Sequence, residues 1–464
     1  MKQKLLKGAF WVTLASLFVK VLSIVYKIPY QNLTGDKGFY IYQQIYPLYA
    51  LIQQVGSFAL PLAVSEAMLK DKDKERVLSS SFVLTLICGL ILSFGIISFY
   101  PFLGKIMGDS NLNVLFLPLI LVLLLLPIVA IVRGYLYHQE DTLGLVGIST
   151  TFEQLFRILV IIIVLQMYVH HKITNLYHVA FLSLIGYACG MITGLLVVIW
   201  RFNLKSISLT KIDLKYGTVI LKRSFFLLLT ATILLFMQVI DSFTIINTLG
   251  KQMTLEEAMV IKGIYDRSLP LIQTAIFYAF PLLTTFVPHA RNQQDYQRII
   301  LAIISFALPA TVGLIKVMPD VNLLLFKDRN LTQVLQVNAL IIVLYALVLT
   351  YATMMKPSKK LLLIVLSGLL IKLVGNVVLI NYGGILGASV SNIIALIIML
   401  VLLIIVNQKE LVLPSKSILK VIIAVIVMIP FLFLVKNLYI TILIGIVIYG
   451  ITFYLLKIHQ DFYQ

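Results

Sequence analysis

Charged residues are scarce in this chain. Only 12% of its 464 residues are Asp, Glu, Lys or Arg, whereas 60% are hydrophobic and the mean hydropathy is +1.02. Cysteine occurs only twice, so a disulfide-stabilised scaffold is excluded. The apolar residues form runs of about twenty, the length that crosses a bilayer, which excludes a soluble globular enzyme and a disordered protein.

Motifs for nucleotide chemistry are missing as well. The sequence has no Gly-x-x-x-x-Gly-Lys-Ser/Thr loop, no dinucleotide-binding glycine motif and no loop long enough for an enzyme active site. The six histidines lack the spacing of metal ligands. We therefore expect a protein that is not an enzyme, with no ATP, no metal and no cofactor.

The apolar runs predict an all-α integral membrane protein with about fourteen transmembrane helices. The predicted spans cover residues 7–29, 39–69, 77–99, 112–132, 143–167, 178–200, 218–246, 268–287, 299–317, 334–355, 361–380, 384–406, 417–435 and 438–456.

Basic residues are distributed unevenly between the joints of these helices. With the N-terminus inside, the cytoplasmic joints hold 21 Lys and Arg residues and the outer joints hold 10. The positive-inside rule thus predicts a multi-pass protein of the cell membrane with both termini cytoplasmic. We expect this protein to be monomeric. The net charge of +18 is explained by this orientation, and we expect no nucleic-acid partner.

An ordered set of short motifs occurs twice, six helices apart. Gly38-Phe39-Tyr40 precedes Ala59-Leu60-Pro61-Leu62, and Gly263-Ile264-Tyr265 precedes Ala279-Phe280-Pro281-Leu282. An even offset preserves orientation, so the pattern predicts two parallel six-helix lobes, residues 1–210 and 211–410, followed by two further helices in residues 411–464. Pro61 and Pro281 are the predicted hinges of these lobes.

Several predicted spans carry polar stripes at helical spacing. Lys20 and Lys27 share one face of the first helix, Gln53 lies on a stripe of the second, and Arg267 and Tyr278 lie on a stripe of the eighth. A charge at mid-bilayer costs about 2.5 to 3.5 kcal/mol on insertion scales. These faces should therefore line a cavity and not contact lipid, and we expect Lys20, Lys27, Gln53, Arg267 and Tyr278 to bind the substrate there.

Opposite charges also occur at spacings that allow pairing. Glu153 and Arg157 are four residues apart and so share one face of a helix. They could form a structural ion pair, or they could contact the substrate. Asp241 could pair with Lys372, which is one turn from Asn376. Cations outnumber carboxylates inside the predicted spans and at their outer ends, which favours an anionic, phosphate-bearing substrate over an organic cation.

Particular motifs resemble those of a known family. Tyr26-Lys27-Ile28-Pro29 and the following residues to Tyr49 are similar to the N-terminal signature of the stage V sporulation protein B group of polysaccharide-biosynthesis membrane proteins. Arg133-Gly134-Tyr135 and Glu153-Gln154 with Arg157 resemble later motifs of this group. The group belongs to the multidrug/oligosaccharidyl-lipid/polysaccharide exporter superfamily, whose lipid II flippase branch has fourteen helices, two lobes and a cationic cavity.

The resemblance implies an alternating-access flippase for an undecaprenyl-pyrophosphate-linked cell-wall or polysaccharide precursor, of which lipid II is one example. Lys20, Lys27 and Asp266-Arg267 look like the substrate-binding residues of that branch. Asp241 matches an acidic residue of relatives that bind sodium, but Lys372 and Asn376 depart from their pattern. Sodium coupling and membrane-potential coupling both stay open.

Other functions fit the sequence less well but stay open. A cation-coupled multidrug or small-metabolite exporter would share the fold but would need a more acidic interior. A non-transporting membrane scaffold would leave the intramembrane charges without a role. A lipid-modifying enzyme would require an active-site loop that the sequence lacks.

Overall fold

The computed structural model describes residue 22 and residues 25–139, 142–201, 210–407 and 415–462. These residues form helices and turns, and no β-strand occurs among them. Twelve of the described helices are long and apolar enough to cross a membrane, or thirteen when one strongly bent pair counts as a single span. The protein is therefore an all-α integral membrane protein, as predicted. The described spans match the second to the fourteenth predicted spans. Of the first, 7–29, only residue 22 and residues 25–29 are described.

Packing divides the chain into two compact units. The first unit comprises Met1–Gly250 and Thr254–Val260. Its helices are α1 Lys27–Gln54, α2 Leu60–Lys70, α3 Lys74–Ile106, α4 Leu117–His138, α5 Leu143–Val169, α6 Leu176–Arg201, α7 Leu214–Ala231 and α8 Ile233–Leu249. One apolar core of this unit is formed by α2, α3, α4 and α7, with Leu60, Val64, Val77, Ile131 and Ile220 all buried.

The second unit comprises Lys251–Met253 and Ile261–Gln464. Its helices are α9 Leu255–Asp266, which begins in the first unit, and α10 Ser268–Ile276, α11 Ala279–Phe286, α12 Gln293–Phe326, α13 Thr332–Ala339, α14 Ile341–Met354, α15 Lys359–Gly383, α16 Ile385–Asn407, α17 Ser415–Phe433 and α18 Leu438–Leu455.

The last two helices pack within the second unit. Val425, Met428 and Leu432 of α17 form a buried cluster against Leu308 of α12. The Tyr449 hydroxyl of α18 donates a hydrogen bond to the Ser305 carbonyl of α12, at 2.7 Å. The lobe limits 1–210, 211–410 and 411–464 rest on the sequence repeat and stay a prediction, while by packing α7 and α8 belong to the first unit.

Polar side chains fix the starts of several helices. Asp73 accepts a hydrogen bond from the Arg76 amide at the start of α3, and Ser358 accepts one from the Leu361 amide at the start of α15. Thr254 and Glu257 bond reciprocally as a capping box, so α9 begins at Leu255. This start precedes the predicted span at 268, because a polar first turn lowers hydropathy while favouring a helix.

Backbone irregularities interrupt several of the membrane helices. Gly35 has a left-handed φ of 69° within α1, and a π-helical turn, Val55–Ala59, joins α1 to α2. Helices α7 and α8 are bent by 79° at Thr232. Non-helical backbone is tolerated at membrane depth only where protein or a water-filled cavity surrounds it. The breaks therefore mark segments that do not face lipid, and π-helical turns are frequent at functional sites.

A stripe of glycines on α6 permits close packing against α5. Gly186, Gly190 and Gly194 are spaced by four residues and so share one face of the helix. A Cβ added at Gly190 would lie 2.5 Å from the Glu153 carbonyl oxygen, and one added at Gly186 would lie 3.1 Å from the Arg157 carbonyl oxygen. The α5 backbone, and with it Glu153 and Arg157, is thus held close to α6.

Replacing Gly190 with alanine should destabilise the protein by about 1–3 kcal/mol, because a backbone carbonyl blocks the new methyl group. The matched control is Gly95→Ala on α3, where an added Cβ meets nothing within 4 Å. Thermal unfolding of both variants in the same detergent measures the difference. Equal melting temperatures for the two variants would contradict the packing described here.

Candidate functional site

A buried polar chain links α1, α4 and α5 in the first unit. Arg133 Nη2 lies 2.5 Å from Glu153 Oε2. Glu153 Oε1 accepts a hydrogen bond of 3.0 Å from Gln53 Nε2, and Gln53 Oε1 accepts one of 2.6 Å from Arg157 Nη1. Arg133, Glu153 and Arg157 are each at most 3% exposed. The structure thus adds Gln53, which the sequence placed on a separate polar stripe, to Glu153 and Arg157, which the sequence placed together.

The partner of Glu153 differs from the expected one. Arg157 is in the same helical stripe, but Gln53 from α1 bridges the two side chains, and Arg133 from α4 forms the ion pair. The predicted span 112–132 ends one residue before Arg133 and so places this residue in the following cytoplasmic joint. In fact α4 continues to His138, which leaves Arg133 inside the helix bundle. The Arg-Gly-Tyr motif was the signal that marked this residue.

Tyrosines surround the two remaining cations of this region. The Lys27 ammonium lies 3.7 Å from the centre of the Tyr46 ring, and the Arg157 guanidinium carbon lies 4.4 Å from that of Tyr187. The Tyr26 and Tyr42 hydroxyl oxygens are 2.9 Å apart. Cation–π contacts stabilise a buried cation without cancelling its charge. Lys20, the predicted companion of Lys27, lies outside the described residues.

Helix α8 carries two further polar groups of the first unit. Asp241 and Gln238 are each 4% exposed and lie one turn apart. Among the described residues, neither polar atom of the Gln238 side chain has a hydrogen-bond partner. The neighbouring Ser242 carbonyl accepts a hydrogen bond of 2.5 Å from Gln44 Nε2, which ties α8 to α1. The pairing of Asp241 with Lys372 stays a prediction.

In the second unit, the predicted Asp266-Arg267 pair lies at the break between α9 and α10. Asp266 Oδ2 lies 2.8 Å from Lys262 Nζ, and both side chains are buried. Arg267 forms a two-pronged ion pair with Asp328, in which Nη1 to Oδ1 and Nη2 to Oδ2 are both 2.8 Å. Neither Lys262 nor Asp328 was predicted as a partner. Lys262 lies four residues before Asp266, but both precede the predicted span that begins at 268. Asp328 is 61 residues from Arg267, and no spacing connects the two.

The Arg267 guanidinium has additional neutral neighbours. Its Nη1 donates to Asn322 Oδ1 at 3.3 Å, and its carbon lies 5.1 Å from the centre of the Phe326 ring. Burial tends to raise the pKa of the Asp328 carboxyl, but the hydrogen bonds and charge of Arg267 hold this pKa below its ordinary value. Asp328 is therefore ionised at neutral pH.

Lys372 and Asn376 are both completely buried on α15. Lys372 Nζ donates to the Ala388 carbonyl of α16 at 3.1 Å, and Ser391 Oγ donates to the Lys372 carbonyl at 3.0 Å. A Cβ added at Gly375 would lie 2.5 Å from Ser391 Oγ, so the two helices are in close contact at this level. Lys372 thus has at least one fixed contact within its own unit.

The predicted hinge prolines both follow interruptions of helical structure. Pro61 lies in the first turn of α2, directly after the π-helical turn. Pro281 lies in the first turn of α11, after the break at Phe277 and Tyr278. The Tyr278 hydroxyl donates to the Ile303 carbonyl at 3.0 Å, so this predicted substrate contact is tied to α12 in the structure.

These features define an all-α membrane transporter fold with charged groups buried among its helices. The chain belongs to the family of polysaccharide biosynthesis proteins, whose sequence profile matches residues 5–291. This match confirms the resemblance deduced from the sequence motifs.

Two curated relatives come from Bacillus subtilis (strain 168). An uncharacterized membrane protein, YabM, is 29% identical over 412 residues, which is 83% of this chain and 76% of YabM. The lipid II flippase MurJ is 25% identical over 452 residues, 86% of this chain and 82% of its own length. The expectation that the chain is not an enzyme agrees with the activity for which this second relative is named.

A solved structure shares the fold. The inward closed conformation of a lipid II flippase MurJ superposes with a TM-score of 0.72 at 16% identity and covers 95% of this chain and 97% of that chain. The predicted membrane transporter architecture is confirmed by this likeness, which extends over nearly the full length of both proteins.

Breaking the Arg133 and Glu153 pair from one side should be costly. Glu153→Gln leaves the Arg133 charge buried without its carboxylate, which costs about 3–5 kcal/mol in comparable pairs. The double variant Arg133→Met with Glu153→Met should recover most of this loss, because both charges are removed. Melting temperatures of Arg133→Met, Glu153→Met and the double variant test this coupling, and additive effects of the two methionine changes would contradict it.

Proposed function

We propose that the protein is an alternating-access flippase of the cell membrane, with both termini cytoplasmic, that moves a prenyl-pyrophosphate-linked saccharide used in cell-wall or polysaccharide synthesis. The main support for this proposal is the excess of buried positive charge. Among the described residues, six cations and four carboxylates are buried. They are Lys27, Arg133, Arg157, Lys262, Arg267 and Lys372 against Asp109, Glu153, Asp241 and Asp266.

An anionic substrate accounts for this excess. A buried cation is costly in the membrane unless an opposite charge compensates it for at least part of the transport cycle. A pyrophosphate supplies about two or more negative charges and several acceptor oxygens, which suits lysine and arginine. Membership in the polysaccharide biosynthesis family and the likeness to the lipid II flippase support the same substrate class.

The predicted residues take distinct parts in this proposal. The residues that would contact the head group are Lys20, Lys27, Gln53, Asp266, Arg267 and Tyr278. Pro61 and Pro281 would permit bending between inward and outward forms, since each begins a helix next to irregular backbone. The driving force would be the membrane potential or a sodium gradient, because the sequence has no nucleotide-binding motif.

Removing the charge of Lys27 should weaken substrate binding. We expect Lys27→Gln to bind undecaprenyl pyrophosphate at least tenfold more weakly than the wild type, and Lys27→Arg to retain most of the affinity. Lys172→Gln, a change at an exposed residue of an outer loop, is the matched control. Titration of each purified protein in lipid nanodiscs with undecaprenyl pyrophosphate measures the affinity of the wild type and the three variants. Wild-type affinity in a folded Lys27→Gln variant would remove this lysine from the site.

The salt dependence of binding and the charge of the ligand that binds distinguish the proposed flippase from a cation exporter. Binding of undecaprenyl pyrophosphate should weaken between low and physiological salt, since contacts in a water-filled cavity are partly screened. A lipophilic cationic dye should not bind. Tight dye binding that is lost in Asp241→Asn, without pyrophosphate binding, would favour a cation-coupled multidrug exporter and overturn the proposal.

A further inference from the structure

The Arg267 site is built around an anion that the protein itself supplies. The guanidinium is 1% exposed, and its two terminal nitrogens face the two carboxylate oxygens of Asp328 in parallel. This geometry is the one by which arginine recognises planar or tetrahedral oxyanions such as phosphate. The Asp328 side chain, in contrast, is 30% exposed. The cation is therefore fixed inside the second unit, and its anion is at the edge.

The loop that carries Asp328 is a short, strained connection. It joins α12 to α13, and two non-glycine residues, Lys327 and Leu331, have positive φ of 65° and 49°. Such conformations are unfavourable for residues that carry a Cβ atom. The loop is fastened by the Asn330 amide, which donates to Asp328 Oδ1 at 2.9 Å, and by Asn322 Nδ2, which donates to the Asn330 carbonyl at 3.2 Å. Release of Asp328 would relieve part of this strain.

We propose that Asp328 is an internal counter-anion that occupies the anion subsite of Arg267 and that the pyrophosphate of the substrate displaces it. This inference rests on the proposed function and adds a residue that determines specificity. Arg267 always keeps an oxyanion partner, so the buried charge is never uncompensated during exchange. The released Asp328 carboxylate is hydrated at the protein edge, where its charge costs little.

Exchange of this kind selects the substrate by charge. A ligand without an anionic group cannot replace Asp328, because Arg267 would lose the bidentate ion pair that it forms with this carboxylate. Asn322 can hold the guanidinium whether Asp328 or pyrophosphate is its partner. The Asn322 amide oxygen is neutral and already accepts a hydrogen bond from Arg267 Nη1. The site therefore discriminates against neutral prenyl lipids and cations without any contact to the sugar.

The first test removes the competing charge. Asp328→Asn should bind geranylgeranyl pyrophosphate at least tenfold more tightly than the wild type, whereas geranylgeraniol should bind all proteins alike. Asp320→Asn is the matched control, because Asp320 lies near the same loop and pairs with the exposed Arg329 at 2.9 Å. Unchanged or weaker binding by Asp328→Asn, with measurable wild-type binding, would overturn the displacement. Absent pyrophosphate binding by every protein would overturn the proposed function itself.

The second test needs no variant and so does not depend on the folding of Asp328→Asn. Hydrogen–deuterium exchange of the wild-type protein should become faster at residues 327–331 when geranylgeranyl pyrophosphate is added, because Asp328 releases the Asn330 amide. Exchange at the α5 residues 150–160 should not become faster. If hydrogen–deuterium exchange of the loop were slower or unchanged at saturating geranylgeranyl pyrophosphate, the displacement of Asp328 would be overturned.

Discussion

Compensation of buried charge is the constraint on which this structure depends. A chain with 12% charged residues can place few of them between its helices, and each requires a partner of fixed geometry. Arg133 meets Glu153 from a neighbouring helix, whereas Lys262 meets Asp266 within one helix. The close contact of α5 with α6, made possible by the glycine stripe, is what holds Glu153 at its position. In this fold, the pairing of buried charges therefore depends on how closely the helices pack.

The buried pairs differ in how freely they can rearrange. Arg133 and Glu153 lie on regular helices, and both are almost fully enclosed, so their pair has a structural role. Arg267 lies at a helix break, and its partner Asp328 lies on a loop that reaches solvent. A pair with one movable and accessible member can exchange its anion, which a pair between two packed helices cannot. This contrast separates the groups that hold the fold from those that would meet a substrate.

Much of the architecture follows from the sequence, because long apolar runs leave the chain few alternatives to membrane helices. Helix spacing also predicted that Gln53, Glu153 and Arg157 belong to a polar interior. It failed for the partners: Arg133 was taken for a joint residue, and Asp328 is sixty-one positions from Arg267. Periodicity tells which face of one helix is polar. Tertiary packing determines which neighbouring element supplies the opposite charge. The spacing of residues along one helix contains no information about this packing.

The proposed function requires that this protein carry an anionic lipid-linked head group across a bilayer. Its most direct test is reconstitution of the full chain into liposomes, with a fluorescent undecaprenyl-pyrophosphate disaccharide in the inner leaflet and a membrane-impermeant quencher outside. We expect the quenched fraction to rise faster than in liposomes without protein, and we expect that an undecaprenyl disaccharide lacking the pyrophosphate is not moved. Equal rates with and without the protein, under either polarity of membrane potential and with or without a sodium gradient, would contradict it.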